Sequence, residues 1–114
     1  WKTKCKNLHW AAAKDNIHLK LDEFYLELHN FQDKVAEGYM GILGRMQPNA
    51  VKPIQSDVLN AFDFIAEVKS KTLEFYSSIP DEPIYKGISS ECEAFIQIVN
   101  NYDYKFHQCD VLTY

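Results

Sequence analysis

The sequence predicts an all-α fold, a bundle of four helices, from three observations. Apolar residues recur at intervals of three and four in four separate segments. No segment alternates apolar and polar residues with the two-residue period of a strand. Turn and cap residues fall between the segments, at Lys14-Asp15-Asn16, between Gly44 and Pro53, and between Pro80 and Pro83.

The first helix runs from Trp1 to about Ala13, with Trp1, Cys5, Leu8 and Ala12 on one face. Lys2, Lys4 and Lys6 lie off that stripe and read as a solvated face. The chain begins without a methionine, and this helix is expected to be short or truncated. The second and longest helix spans Asp15 to Gly44, antiparallel to the first, with Ile17, Leu21, Phe24, Leu28, Phe31, Val35 and Ile42 facing the core. Gly44 is its C-cap. The connection carries Pro48, Asn49 and Pro53 and ends near Gln55. Twelve residues reach at most ~40 Å when extended. That is about the length of the helix before them, so a crossover sits at the limit of reach and a simple up-down bundle stays open. The third helix is expected from about Ser56 to Ser78, burying Val58, Phe62, Ile65, Ala66, Leu73 and Tyr76. The last follows Pro83 and runs to about Cys109, with Ile84, Ile88, Cys92, Phe95, Val99 and Phe106 inward.

A chain of 114 residues that is 46% hydrophobic and 14% aromatic is one domain, residues 1–114, with enough apolar surface for a core. The formal charge is −4 and the basic residues are scattered, so the banded positive surface of a nucleic-acid binder is missing. Three cysteines, Cys5, Cys92 and Cys109, have no CxxC spacing and fit thiols in a reducing compartment. No run approaches the ~20 apolar residues of a membrane span, and no signal peptide is visible. The expected location is cytoplasmic.

Chemistry concentrates on the second helix. His18 and Asp22 sit one turn apart, as do Asp33 and Glu37, so each pair can chelate. The outermost two ligands are separated by roughly 28 Å and the two pairs by roughly 22 Å along a helix, beyond the reach of one ion. A second copy of the helix, antiparallel across a two-fold axis, would set His18 and Asp22 of one chain opposite Asp33 and Glu37 of the other. All four lie roughly 100 to 200° from the middle of the core stripe, and Leu19 and Leu26 share that sector. Apolar side chains among carboxylates on an outer face predict a partner surface. Taken alone, acidic residues and a histidine at helical spacing describe a hydrated surface more often than a metal site. There is no Glu-x-x-His in the chain, which argues against a di-iron site built within one subunit.

The stretch LHWAAAKDNIHLKLDEFYLELHNFQDKVAEGYMGILG resembles the metal-site region of the Dps family of small ferritins, which pairs a His-Trp on its first helix with His-x3-Asp/Glu-x10-Asp-x3-Glu on its second. The matching positions are His9-Trp10, His18, Asp22, Asp33 and Glu37. The resemblance covers about the first 44 residues. It implies a ferritin-like four-helix bundle in which His9, His18 and Asp22 of one subunit and Asp33 and Glu37 of its mate bind iron. His18, Asp22, Asp33 and Glu37 would carry the oxidation of Fe²⁺ by peroxide or oxygen, with iron storage and detoxification as its use. Zinc or manganese would also suit this donor set. Trp10 looks like the family's tryptophan near the metal, with packing as its plainer role, and His29 is an auxiliary ligand or an interface hydrogen bond. His9 and His18 are nine residues apart, three fewer than is usual in the family. The shorter loop resembles divergent ferritin-like proteins, some encoded by bacteriophages. The partner expected is a homodimer across the second helix within a larger homo-oligomer, without membrane or nucleic acid. The alternative is a non-catalytic ferritin-like assembly protein, structural or virion-associated.

Overall fold

The computed structural model describes residues 1–12, 15–44 and 56–111. They form four α-helices, α1 (Lys2–Ala11), α2 (Asp15–Leu43), α3 (Ala61–Ser78) and α4 (Lys86–Val111), with one 3-10 turn at Pro83–Tyr85 before α4. Among the described residues there is no strand, and no helix is long and apolar enough to cross a membrane. Lys14, Pro48, Asn49 and Pro53 lie outside the described residues.

Local chemistry sets the helix ends. At Gly44 the backbone turns left-handed, with φ +91°, and its N–H donates to the Met40 carbonyl at 2.9 Å, closing α2. Asn60 caps α3, its Oδ1 accepting the Asp63 N–H at 2.8 Å, and Asp63 adds a negative charge to the first turn. This cap starts α3 five residues later than the expected Ser56. Its buried face is Ala61, Phe64, Ile65, Val68 and Thr72, whereas Ala66 and Leu73 are exposed. The observed face is rotated by roughly 90° from the expected one. Apolar residues occupy both flanks of this helix, and the rings around Phe24 decide which flank turns inward. Ile84, also expected inside, is exposed in the 3-10 turn.

Phe24 of α2 is the centre of the core. Phe64 of α3 meets it edge-on at 6.2 Å, while Phe95, Tyr102 and Phe106 of α4 surround its other sides. Cys5 and Leu8 of α1 close the same cluster. A smaller cluster of Ile79, Ile88 and Cys92 fills the far end.

Contacts between helices give the topology. Lys6 meets Asp22 and His9 meets His18, so α1 and α2 are antiparallel. Phe31 stacks on Phe95 at 4.0 Å and Tyr102 reaches Glu23, so α2 and α4 are antiparallel. Tyr76 bonds Glu93 and Phe62 meets His107, so α3 and α4 are antiparallel too. It follows that α2 and α3 run parallel. Leu59 and Ala61 at the start of α3 share one pocket with Ile17 at the start of α2, while Phe75 near the end of α3 faces Tyr39 near the end of α2. The order is therefore up-down-down-up, and the α2–α3 link is a crossover rather than a short hairpin. The late start of α3 supplies the length. From Gly44 to Asn60 the chain can reach about 55 Å, against about 43 Å for α2.

Candidate metal site

His9 and His18 come together where α1 and α2 diverge toward their connection. Their rings stack with centroids 3.7 Å apart and planes inclined by 21°. Each ring Nδ1 faces the other residue's backbone carbonyl, that of His9 at 2.6 Å from the His18 oxygen. A carbonyl only accepts, so each Nδ1 carries the proton and donates it. With Nδ1 donating to a carbonyl, Nε2 is the nitrogen left to act as a ligand, the usual arrangement of a histidine held by a backbone carbonyl. The nine-residue interval therefore brings the two imidazoles into contact.

Asp22 follows one turn along α2. The Lys6 Nζ of α1 donates to its Oδ1 at 2.8 Å, and the same ammonium lies 4.6 Å above the Tyr25 ring. This hydrogen bond holds the Asp22 carboxyl below its ordinary pKa, with smaller contributions from His9 and His18. Lys6 is raised by the same bond. Farther along, His29 Nε2 lies 3.3 Å from Asp33 Oδ2, and Lys2 Nζ lies 3.3 Å from His29 Nδ1. Both ring nitrogens of His29 thus have a neighbour from their own chain. Asp33 and Glu37 are exposed.

The five expected ligands fall into two groups in one subunit. His9, His18 and Asp22 gather at one end of the α1–α2 face. Asp33 is roughly 16 Å farther along the helix, and Glu37 is one turn beyond it. Among the described residues, no three His, Cys, Asp or Glu side chains of one chain are grouped closely enough to hold an ion. Two Nε2 atoms and a carboxylate suit a borderline transition ion such as Fe²⁺, Mn²⁺ or Zn²⁺. The donor types suit such an ion, but within one chain the five residues stay in two separate groups. The outer side of this face carries Leu19, 60% exposed, Leu26, 58% exposed, and Trp10, 71% exposed. Trp10 therefore does not pack into its own subunit's core.

Two residues of this region carry no sequence signal of a ligand. Lys2 and Lys6 read as solvated, yet both point across to α2. Their spacing of four residues was the available clue, because it matches one turn and allows both to face the same neighbour. In comparisons with protein-family models, curated proteins and solved structures, the chain matches none.

Proposed function

We propose that this chain is a ferritin-like, Dps-like protein that binds Fe²⁺ between two subunits and oxidises it, with storage or detoxification of iron as the outcome. The observation that carries the reading is the division of the expected ligands into two groups, one half-buried beside α1 and one exposed farther along α2. His9, His18 and Asp22 form one half, Asp33 and Glu37 the other, and an antiparallel second copy would join unlike halves. Three further features support it. The up-down-down-up order with one crossover is the arrangement of ferritin-like bundles. Both imidazoles are held with Nε2 available, and exposed Leu19 and Leu26 supply apolar surface for the dimer contact.

Fe²⁺ is the substrate. Two Fe²⁺ give one electron each to a peroxide, whose O–O bond breaks with uptake of two protons to release two waters. The chain's part is to hold both ions in carboxylate and imidazole donors that also stabilise the ferric product. The test is anaerobic addition of Fe²⁺ to metal-free protein, then peroxide, followed by ferric absorbance. Asp22→Ala is expected to lower the rate by at least tenfold while leaving helicity unchanged. An unaltered rate would remove Asp22 from the site.

A second reading, a structural or virion-associated assembly protein, is favoured by the Lys6–Asp22 ion pair. That pair satisfies the carboxylate with no metal, leaving the exposed leucines as the working surface. Assembly that proceeds identically with chelator and with Asp22→Ala would support it.

A further inference from the structure

We propose that the outer surface of the α1–α2 layer is a self-association interface anchored by Trp10, which a second copy of this chain covers without any metal; its register rests on the shared-site reading above. Both helices turn apolar side chains away from the core. On α1, Trp10 lies roughly 170° from the middle of the Cys5 and Leu8 stripe, and on α2, Leu19 and Leu26 lie roughly 160 to 180° from the stripe of Leu21, Phe24 and Leu28. All three are exposed. The rings of His9 and His18 are in contact, so Trp10 and Leu19, the next residue on each helix, are neighbours across the α1–α2 seam. Thr3 and Asn7 share the line of Trp10 along α1 at intervals of four and three, both exposed and uncharged.

Area and charge both suit a second copy. The three apolar side chains present on the order of 400 Å² per chain, about half of the ~800 Å² that each partner buries in a stable pair. A surface that meets itself is repulsive where it carries unpaired charge of one sign. Here the carboxylates bordering the apolar patch have neighbours in their own chain. Lys6 Nζ lies 2.8 Å from Asp22, Lys20 Nζ 3.2 Å from Glu23, and His29 Nε2 3.3 Å from Asp33. In the antiparallel register that sets Asp22 opposite Asp33 and His18 opposite Glu37, the two-fold axis passes between residues 27 and 28. Leu26 then lies within roughly 5 Å, measured along the helix, of Leu26 in the other copy. Leu19, with Trp10 beside it, stands opposite Ala36 of the other copy, a side chain small enough to admit the indole. The apolar contact is complete before any ion arrives.

The test is sedimentation equilibrium of the full chain in chelator, repeated with Fe²⁺ under anaerobic conditions, for the wild type, Trp10→Ala, Leu26→Glu and Leu73→Glu. Leu73 is an exposed leucine of α3, outside this surface, so it reports the effect of a new surface charge alone. The wild type is expected to associate in chelator. Trp10→Ala should weaken that association by at least tenfold, the scale of a buried aromatic anchor. Leu26→Glu, which sets two like charges beside the axis, should weaken it by at least about a hundredfold. Leu73→Glu should associate as the wild type does. Under mild oxidation Leu26→Cys should link two chains beyond any linking in the wild type, whereas Leu19→Cys should not, because its two copies lie roughly 25 Å apart along the helix. Association in chelator that survives both Trp10→Ala and Leu26→Glu would overturn the interface, and linking by Leu19→Cys but not Leu26→Cys would overturn its register. Association only with Fe²⁺ would overturn its independence of metal and leave the shared site standing. Association in chelator that Leu26→Glu abolishes, in a wild type that does not oxidise Fe²⁺, would overturn the shared site and leave the interface standing. A wild type that stays monomeric in both conditions would overturn both.

Discussion

Cys5 is sealed between α1 and α2, where its thiol donates to the Leu21 carbonyl at 3.2 Å. Burial pushes its pKa up to about 12, and burial likewise pushes Cys92 to about 11 and Tyr102 to about 12. These groups ionise more readily in the unfolded chain, so the native state retains protons that the unfolded state releases. Their contribution is complete below pH ~9 and is lost as the pH rises toward ~12. Urea midpoints measured across this range should fall steadily, and a constant midpoint would contradict the burial of all three. Thr72 is a different case. It is buried, and its Oγ1 has no hydrogen-bond partner among the described residues. Thr72→Val should raise stability by about 1 kcal/mol, because the desolvated hydroxyl is removed; a urea titration reads the sign. At this scale the sequence was informative about which side-chain types share a helix face. Histidines and carboxylates one turn apart could be read directly, but the reciprocal bonds between His9 and His18 depend on how two helices approach, which spacing does not encode.

Gly38 and Gly41 of α2 offer a paired test at the scale of the element. A Cβ on Gly38 would lie 2.9 Å from Ile88 Cγ1 of α4, within a buried cluster, whereas a Cβ on Gly41 would meet nothing within 4 Å. Alanine favours a helix over glycine by about 1 kcal/mol. Overpacking a filled contact costs about 1–3 kcal/mol. Gly41→Ala should therefore raise the melting temperature, while Gly38→Ala should lower it or leave it flat. Equal gains at both positions would mean that α2 and α4 are not in close contact there. The four helices themselves were legible, since the inward stripes of α1 and α2 agree with the three-four period. The stripe of α3 was not, because Phe62 and Leu73 on one flank and Phe64 and Val68 on the other give two apolar faces. Only packing around Phe24 chooses between them. The role of α1 was also hidden, since lysines on a helix face look solvated until the neighbouring helix is in place.

For the whole molecule, the parallel alignment of α2 and α3 is the feature that periodicity could not supply. It follows from both helices pairing with α4 and from α3 beginning beside Ile17. In the sequence, Ser56 to Asn60 looked like helix and so shortened the connection; the Asn60 cap returns those residues to it. The outcome is an elongated body of 50 × 26 × 20 Å. The central claim is that unlike halves meet between two chains, and complementation tests it most directly. One variant carries His18→Ala and Asp22→Ala, and the other carries Asp33→Ala and Glu37→Ala. Each alone should fail to oxidise Fe²⁺. After the two are unfolded together and refolded as a mixture, a mixed dimer holds one site with every ligand intact and one with none. Activity returning toward one quarter of the wild-type level, as statistical mixing of one-site heterodimers gives, is the predicted result. A mixture as inactive as its components, with heterodimers present, would contradict a site shared between subunits.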